Sequence, residues 1–60
     1  IHFNSHPGHE FEYMIEGKME IIVDGKSMIL EEGDSIYFDG TKQHGMRALD
    51  KPAKFLAIII

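Results

Sequence analysis

Glu10-Phe11-Glu12-Tyr13-Met14-Ile15-Glu16-Gly17-Lys18-Met19-Glu20-Ile21-Ile22-Val23-Asp24-Gly25 is the stretch whose reading decides the fold. Apolar residues alternate through Phe11, Tyr13 and Ile15, pause at Glu16-Gly17-Lys18 and resume at Met19, Ile21 and Val23. A period of two belongs to strands and not to helices. Asp24-Gly25 suits a two-residue hairpin, because both residues tolerate positive φ. Working outward, Lys26–Leu30 is the return strand, Glu31-Glu32-Gly33-Asp34 a second turn, Ser35–Phe38 a strand and Asp39-Gly40-Thr41 a third turn. His44–Leu49 and Lys54–Ile60 complete the set, separated by Asp50-Lys51-Pro52. Gly17, Gly25, Gly33 and Gly40 are expected where the backbone needs positive φ, and Asp34 and Asp39 are expected to bond their own backbone in turns. Met14, Met19, Met28 and Met46 read as gap-filling core residues. Strands recurring every 6 to 12 residues predict an all-β sandwich or small barrel.

The chain has 60 residues, 10 acidic and 6 basic side chains, 4 histidines, no cysteine and a formal charge of −4. That is one domain at most, spanning residues 1–60. A chain so short buries only about 60% of the surface its unfolded form exposes, so its core is marginal unless a metal or other protein supplements it. Disulfides and cysteine zinc sites are excluded for want of cysteine. The acidic balance and the scattered Lys18, Lys26, Lys42, Arg47, Lys51 and Lys54 argue against nucleic-acid contact by this segment, which would need clustered cations. No apolar run reaches the roughly 18 residues of a membrane span. Without a signal-peptide pattern the expected location is the cytoplasm. The start at Ile1-His2-Phe3 and the apolar end at Ile60 read like an internal piece of a longer chain.

Strand parity then poses a choice. Phe11, Tyr13 and Ile15 share one face, and Glu10, Glu12 and Met14 the other. For an isolated strand the ordinary reading buries the aromatic face, since carboxylates are rarely buried unpaired. The alternative lines a cavity with the glutamates and requires the aromatic face to be covered by more chain or by a second copy. The histidines favour the alternative. His6 precedes Glu10 by four positions and His44 lies beyond the Gly33 turn on another strand. Two imidazoles and a carboxylate converging from separate elements form a facial ligand set with open positions for substrate and oxygen. His2 and His9 read as ordinary surface residues.

This spacing resembles the cupins. Their first motif is a glycine, five residues, His-x-His, three or four residues, Glu, six residues and Gly; their second is Gly, five residues, Pro-x-Gly, two residues, His, three residues and Asn. His6, Glu10 and Gly17 fall in register with the first, and Gly33 and His44 with the second. Asn4 stands where the family has its first metal histidine, Asp39-Gly40-Thr41 where it has Pro-x-Gly, and Ala48 where it has the final Asn. The resemblance implies a small antiparallel cupin-type β-barrel of jelly-roll kind, and leaves open whether these residues complete it. It also implies His6, Glu10 and His44 as ligands of a divalent transition metal such as Fe, Mn, Ni or Zn. An amide oxygen like that of Asn4 serves a harder metal better than a soft one.

The phrases Glu32-Gly33-Asp34-Ser35-Ile36-Tyr37-Phe38-Asp39, His9-Glu10-Phe11-Glu12-Tyr13 and His44-Gly45-Met46-Arg47-Ala48 are similar to the single-cupin domains that follow a helix-turn-helix in bacterial transcriptional regulators. What this implies is a small-ligand-sensing, homodimeric domain whose DNA contact lies in a helix-turn-helix outside this chain. Asn4, Glu12, Tyr37 and Arg47 are the expected ligand-pocket residues. The rival reading is a stand-alone metal-dependent enzyme, a dioxygenase, isomerase or decarboxylase, with Glu12 or Tyr37 as acid or base. A third is a barrel with no metal. The missing first histidine and the regulator-like phrasing weigh against an enzyme.

Overall fold

A computed structural model describes the backbone of residues 1–60 and the side chains of all but Asp50 and Lys51. It is a single four-stranded antiparallel sheet: β1 (His9–Val23), β2 (Lys26–Leu30), β3 (Ser35–Asp39) and β4 (His44–Ile59). β1 is the spine. One of its edges pairs with β4 from Glu10 to Val23, and the other is shared, β3 pairing with His9–Tyr13 and β2 with Met19–Val23. No helix among the described residues is long and apolar enough to cross a membrane.

Each turn follows from local chemistry. Asp24 and Gly25 have φ of 51° and 81°, and Val23 pairs directly with Lys26, so the hairpin loop has the two positive-φ residues that match strand twist. In the second turn Asp34 Oδ2 accepts from the Glu31 N–H at 2.9 Å. Gly33 N–H donates to Met14 O and Met14 N–H to Asp34 O, both at 2.9 Å. The turn therefore grips the middle of β1, which lets β2 and β3 follow one another along one edge. In the third, Asp39 Oδ1 accepts from the Thr41 N–H at 2.9 Å and hydroxyl at 2.8 Å.

Two expected strand breaks are not breaks. β1 passes through Glu16-Gly17-Lys18 as one strand with register shifts on either side of Glu16. β4 is likewise a single element where two strands were expected, its backbone continuing as strand through Asp50-Lys51-Pro52 where a turn was expected. The register steps from Lys18↔Leu49 to Glu16↔Lys54, so β4 carries extra residues against β1, as in a bulge. Gly17, with φ of 87°, faces Pro52 O and Ala53 Cα. The irregularity changes the parity of β1. Glu10, Glu12 and Met14 point to the concave face before it, and Met19 and Ile21 after it.

The concave face holds the core: Met14, Met19, Ile21, Leu30 and Phe38, flanked by Val23, Ile36, Met46 and Ala53. Of the four methionines only Met28 stays outside it, 36% exposed. On the convex face, Phe11 lies between Tyr37 and Ile58, and Tyr13 between Ser35 and Leu56. Neither row contains a charge, and Tyr37, Leu56, Ile58 and Tyr13 are 41 to 60% exposed. Gly17, Gly25 and Gly33 have positive φ as expected, and Gly8 joins them, but Gly40 does not.

Gly17→Ala is expected to destabilise the fold by about 1–3 kcal/mol, combining left-handed strain with a methyl 3.1 Å from Pro52 O. Gly25→Ala, which meets nothing within 4 Å, should lose less. Urea denaturation of the two variants checks the order.

Candidate metal centre

Three elements bring the candidate ligands together. The arm before β1 carries His6, the start of β1 carries Glu10, and β4 opens with His44. The arm is held in place by its backbone. Asn4 and His44 exchange both N–H···O bonds at 3.0 and 2.9 Å, and His6 N–H donates to Gly40 O at 2.9 Å. Glu10 lies opposite Phe38 on β3, so strand parity turns its carboxylate inward, where it is 5% exposed.

The donor atoms of His6, Glu10 and His44 all lie within 4.8 Å of one another. His6 Nε2 is 2.8 Å and His44 Nε2 3.4 Å from Glu10 Oε1. The other ring nitrogens are occupied: His44 Nδ1 bonds Lys42 O at 2.8 Å and His6 Nδ1 bonds Pro7 O at 3.0 Å. Since a carbonyl only accepts, each Nδ1 carries a proton, which leaves each Nε2 facing Glu10. This is how protein metal sites fix histidine tautomers. Without a metal, the 2.8 Å contact from His6 needs a second proton on that ring, and a bound metal ion would take that proton's place. Phe38 packs edge-on against His44, ring centroids 4.9 Å apart, and the two imidazoles stand perpendicular at 5.1 Å.

Electrostatics favour a cation here. The Pro7 carbonyl and the Glu10 carboxylate hold the His6 pKa above its usual 6.5. Burial opposes charge on Glu10, but the adjacent Glu12 carboxyl, the hydrogen bond with His6 and the nearby histidines outweigh it and keep its pKa below the ordinary carboxylate value. Glu12, fully buried, bears the cost. Neither of its carboxyl oxygens accepts a hydrogen bond, and burial with the adjacent Glu10 pushes its pKa up to about 8. A divalent ion suits this donor set: two neutral nitrogens and one anionic oxygen are borderline ligands for Fe, Mn, Ni or Zn.

Above the three ligands opens a cleft of about 430 Å³, walled by Asn4, Ile1, His2, Gly45, Met46 and Ile59. Asn4 is thus at the cleft. The other three expected pocket residues are elsewhere. Glu12 is sealed beneath the ligands. Tyr37 is 60% exposed and stacks on His9 at 5.4 Å on the convex face. Arg47 also points outward, its Nε donating to Glu20 Oε1 at 2.8 Å while Ser27 donates to Oε2 at 2.6 Å; these two partners lower the Glu20 pKa. The reason is parity. Phe38 and Met46, their neighbours in sequence, pair with the inward Glu10 and Ile21. Ile1, Met46 and Ile59 were not foreseen at the cleft: Ile1 and Ile59 are apolar residues at the chain ends, which carry no signal of what they will face, and Met46 read as a core residue.

The Cupin domain family model matches residues 1–59. The chain belongs to the cupin family. No curated protein and no solved structure gives a significant match. In this cupin the all-β antiparallel sheet is consistent with the family's small-barrel type, and His6, Glu10 and His44 form a cluster that could hold a metal ion.

The sign of the Glu12 shift gives a test. A carboxyl whose pKa rises on folding contributes stability that is present below about 4.5, its unfolded value, and is lost as pH rises toward about 8. Glu12→Gln removes that loss. With a chelator present, the variant should match wild type near pH 4.5 and exceed it in melting temperature at pH 8, as differential scanning calorimetry would read.

Proposed function

We propose that this cupin is the small-ligand-sensing domain of a bacterial transcriptional regulator, taking its ligand at a divalent metal held by His6, Glu10 and His44. The observation that carries the reading is the cleft itself. Its size falls within the range of small-molecule sites, and beyond the ligands its only titratable wall residue among those described is the arm's His2. With Tyr37 and Arg47 outward and Glu12 sealed, the cleft has donors to bind with and few to catalyse with. A bound metal would supply Lewis acidity and open positions for an oxygen-bearing group. The chain's own part is to hold that ligand's apolar body against Ile1, Met46 and Ile59 and to offer the Asn4 amide beside the metal. In this reading the domain works in the cytoplasm, spans the whole of residues 1–60 as part of a longer chain, and leaves DNA contact to a helix-turn-helix elsewhere. The similarity of Glu32–Asp39 to regulator cupins supports that context.

The partner we propose is a second copy, seated on the convex face. The two charge-free rows there are bordered by Glu16 and Lys54, which pair across β1 and β4. A border carrying both signs is complementary to itself under a two-fold axis. A standard interface of about 800 Å² per partner would cover roughly a fifth of the 4011 Å² surface. It would also supplement a core of five buried apolar side chains, too few for a chain this size to be secure alone. Ligand binding then acts at a distance by favouring one arrangement of the subunits.

Two measurements test this. Elemental analysis and isothermal titration should find one divalent metal per wild-type chain, and His44→Ala should weaken it by more than the roughly 10–100-fold typical of changes to outer-sphere partners; retained stoichiometric metal in the variant rejects the site. In sedimentation equilibrium, wild type should dimerise and Tyr13→Arg should raise the dissociation constant at least about tenfold, the equivalent of 1.4 kcal/mol.

A further inference from the structure

We propose that Gly40 is a positioning residue for the metal ligand His6, an inference that rests on the metal reading above. Gly40 is buried, yet its φ lies outside the left-handed region that explains Gly8, Gly17, Gly25 and Gly33. Conformation gives no reason for glycine here, and space does. A Cβ built on Gly40 would collide with His6 Cε1, stand 2.6 Å from His6 Nδ1 and lie 2.9 Å from Gly8 O. The neighbouring backbone leaves the ring no slack. Gly40 O accepts from the His6 N–H at 2.9 Å and Gly40 N–H donates to Gly8 O at 2.8 Å, so the arm is bonded to Gly40 on both sides of His6. The imidazole lies in the space a side chain would occupy, with Nδ1 on Pro7 O and Nε2 on Glu10 Oε1. A methyl at position 40 must either swing the ring off both partners or lift the arm from Gly40. Either movement takes Nε2 away from Glu10 and His44.

A glycine remote from the cluster supplies the contrast. Gly25 lies in the β1–β2 hairpin loop, and a Cβ there meets nothing within 4 Å. Chelator-competition titration with Mn²⁺ or Zn²⁺ should therefore show a 10–100-fold weaker metal affinity for Gly40→Ala, as for loss of an outer-sphere partner, and a change within about threefold for Gly25→Ala. The decisive step is a double-mutant cycle with His6→Ala. Without the imidazole, Gly40→Ala should cause no further loss of metal affinity and little loss of melting temperature; if Gly40→Ala alone does not fold, the double variant should. Equal metal affinity in Gly40→Ala and wild type, or an undiminished Gly40→Ala defect in the His6→Ala background, overturns the proposal. Nuclear Overhauser contacts between the His6 and His44 rings in metal-free protein, present in wild type and lost in Gly40→Ala, test it without metal. Wild type that takes up no metal but loses those contacts in the variant would reject the metal reading and leave the positioning role standing.

Discussion

A carboxylate held almost dry is the constraint on which the rest depends. Glu10 is 5% exposed on the concave face of a sheet only four strands in all, a position an acid tolerates only with partners. His6 and His44 supply them, and each must arrive from a separate part of the chain with its Nε2 turned toward Glu10. That requirement accounts for the arm's backbone pairing with His44 and Gly40, and for the Lys42 and Pro7 carbonyls that take the Nδ1 protons. Glu12 shows what happens to the next acid along. It has no such partners, and its pKa moves up to about 8.

The irregularity at Gly17 divides the molecule into a polar end and an apolar end. With uninterrupted alternation, a β1 that turns Glu10, Glu12 and Met14 inward would also turn inward Lys18, Glu20 and Ile22. The shift in register puts Met19 and Ile21 there instead. One strand thereby lines both the ligand cluster and the core, and Glu20 is freed to pair with Ser27 and Arg47 on the outside. The same geometry leaves the outward aromatic and aliphatic rows as the apolar surface most open to a partner.

Much of this was legible in residue order. Asp24-Gly25 specifies its hairpin because few other pairs accept positive φ at both positions. The spacing of His6, Glu10, Gly17, Gly33 and His44 resembles that of a known motif pair, and that resemblance points to one cluster. The convex placement of Tyr37 and Arg47 was not legible. A strand's alternation says which residues share a face, never which face is inside, and that is set by pairing with β1. Gly40 misled for a related reason: a glycine beside a turn reads as conformational freedom, whereas here it is empty space for an imidazole that is remote in sequence.

By itself, then, the order of residues determined strand identity, the hairpin and the chemical kinds of the three candidate ligands, because these follow from local backbone preference and side-chain chemistry. Only the tertiary structure decided which neighbours of those ligands reach the cleft, how β1 continues through Gly17, and why position 40 has no side chain. Those depend on register and on volume shared between segments far apart in the chain, which no local pattern encodes.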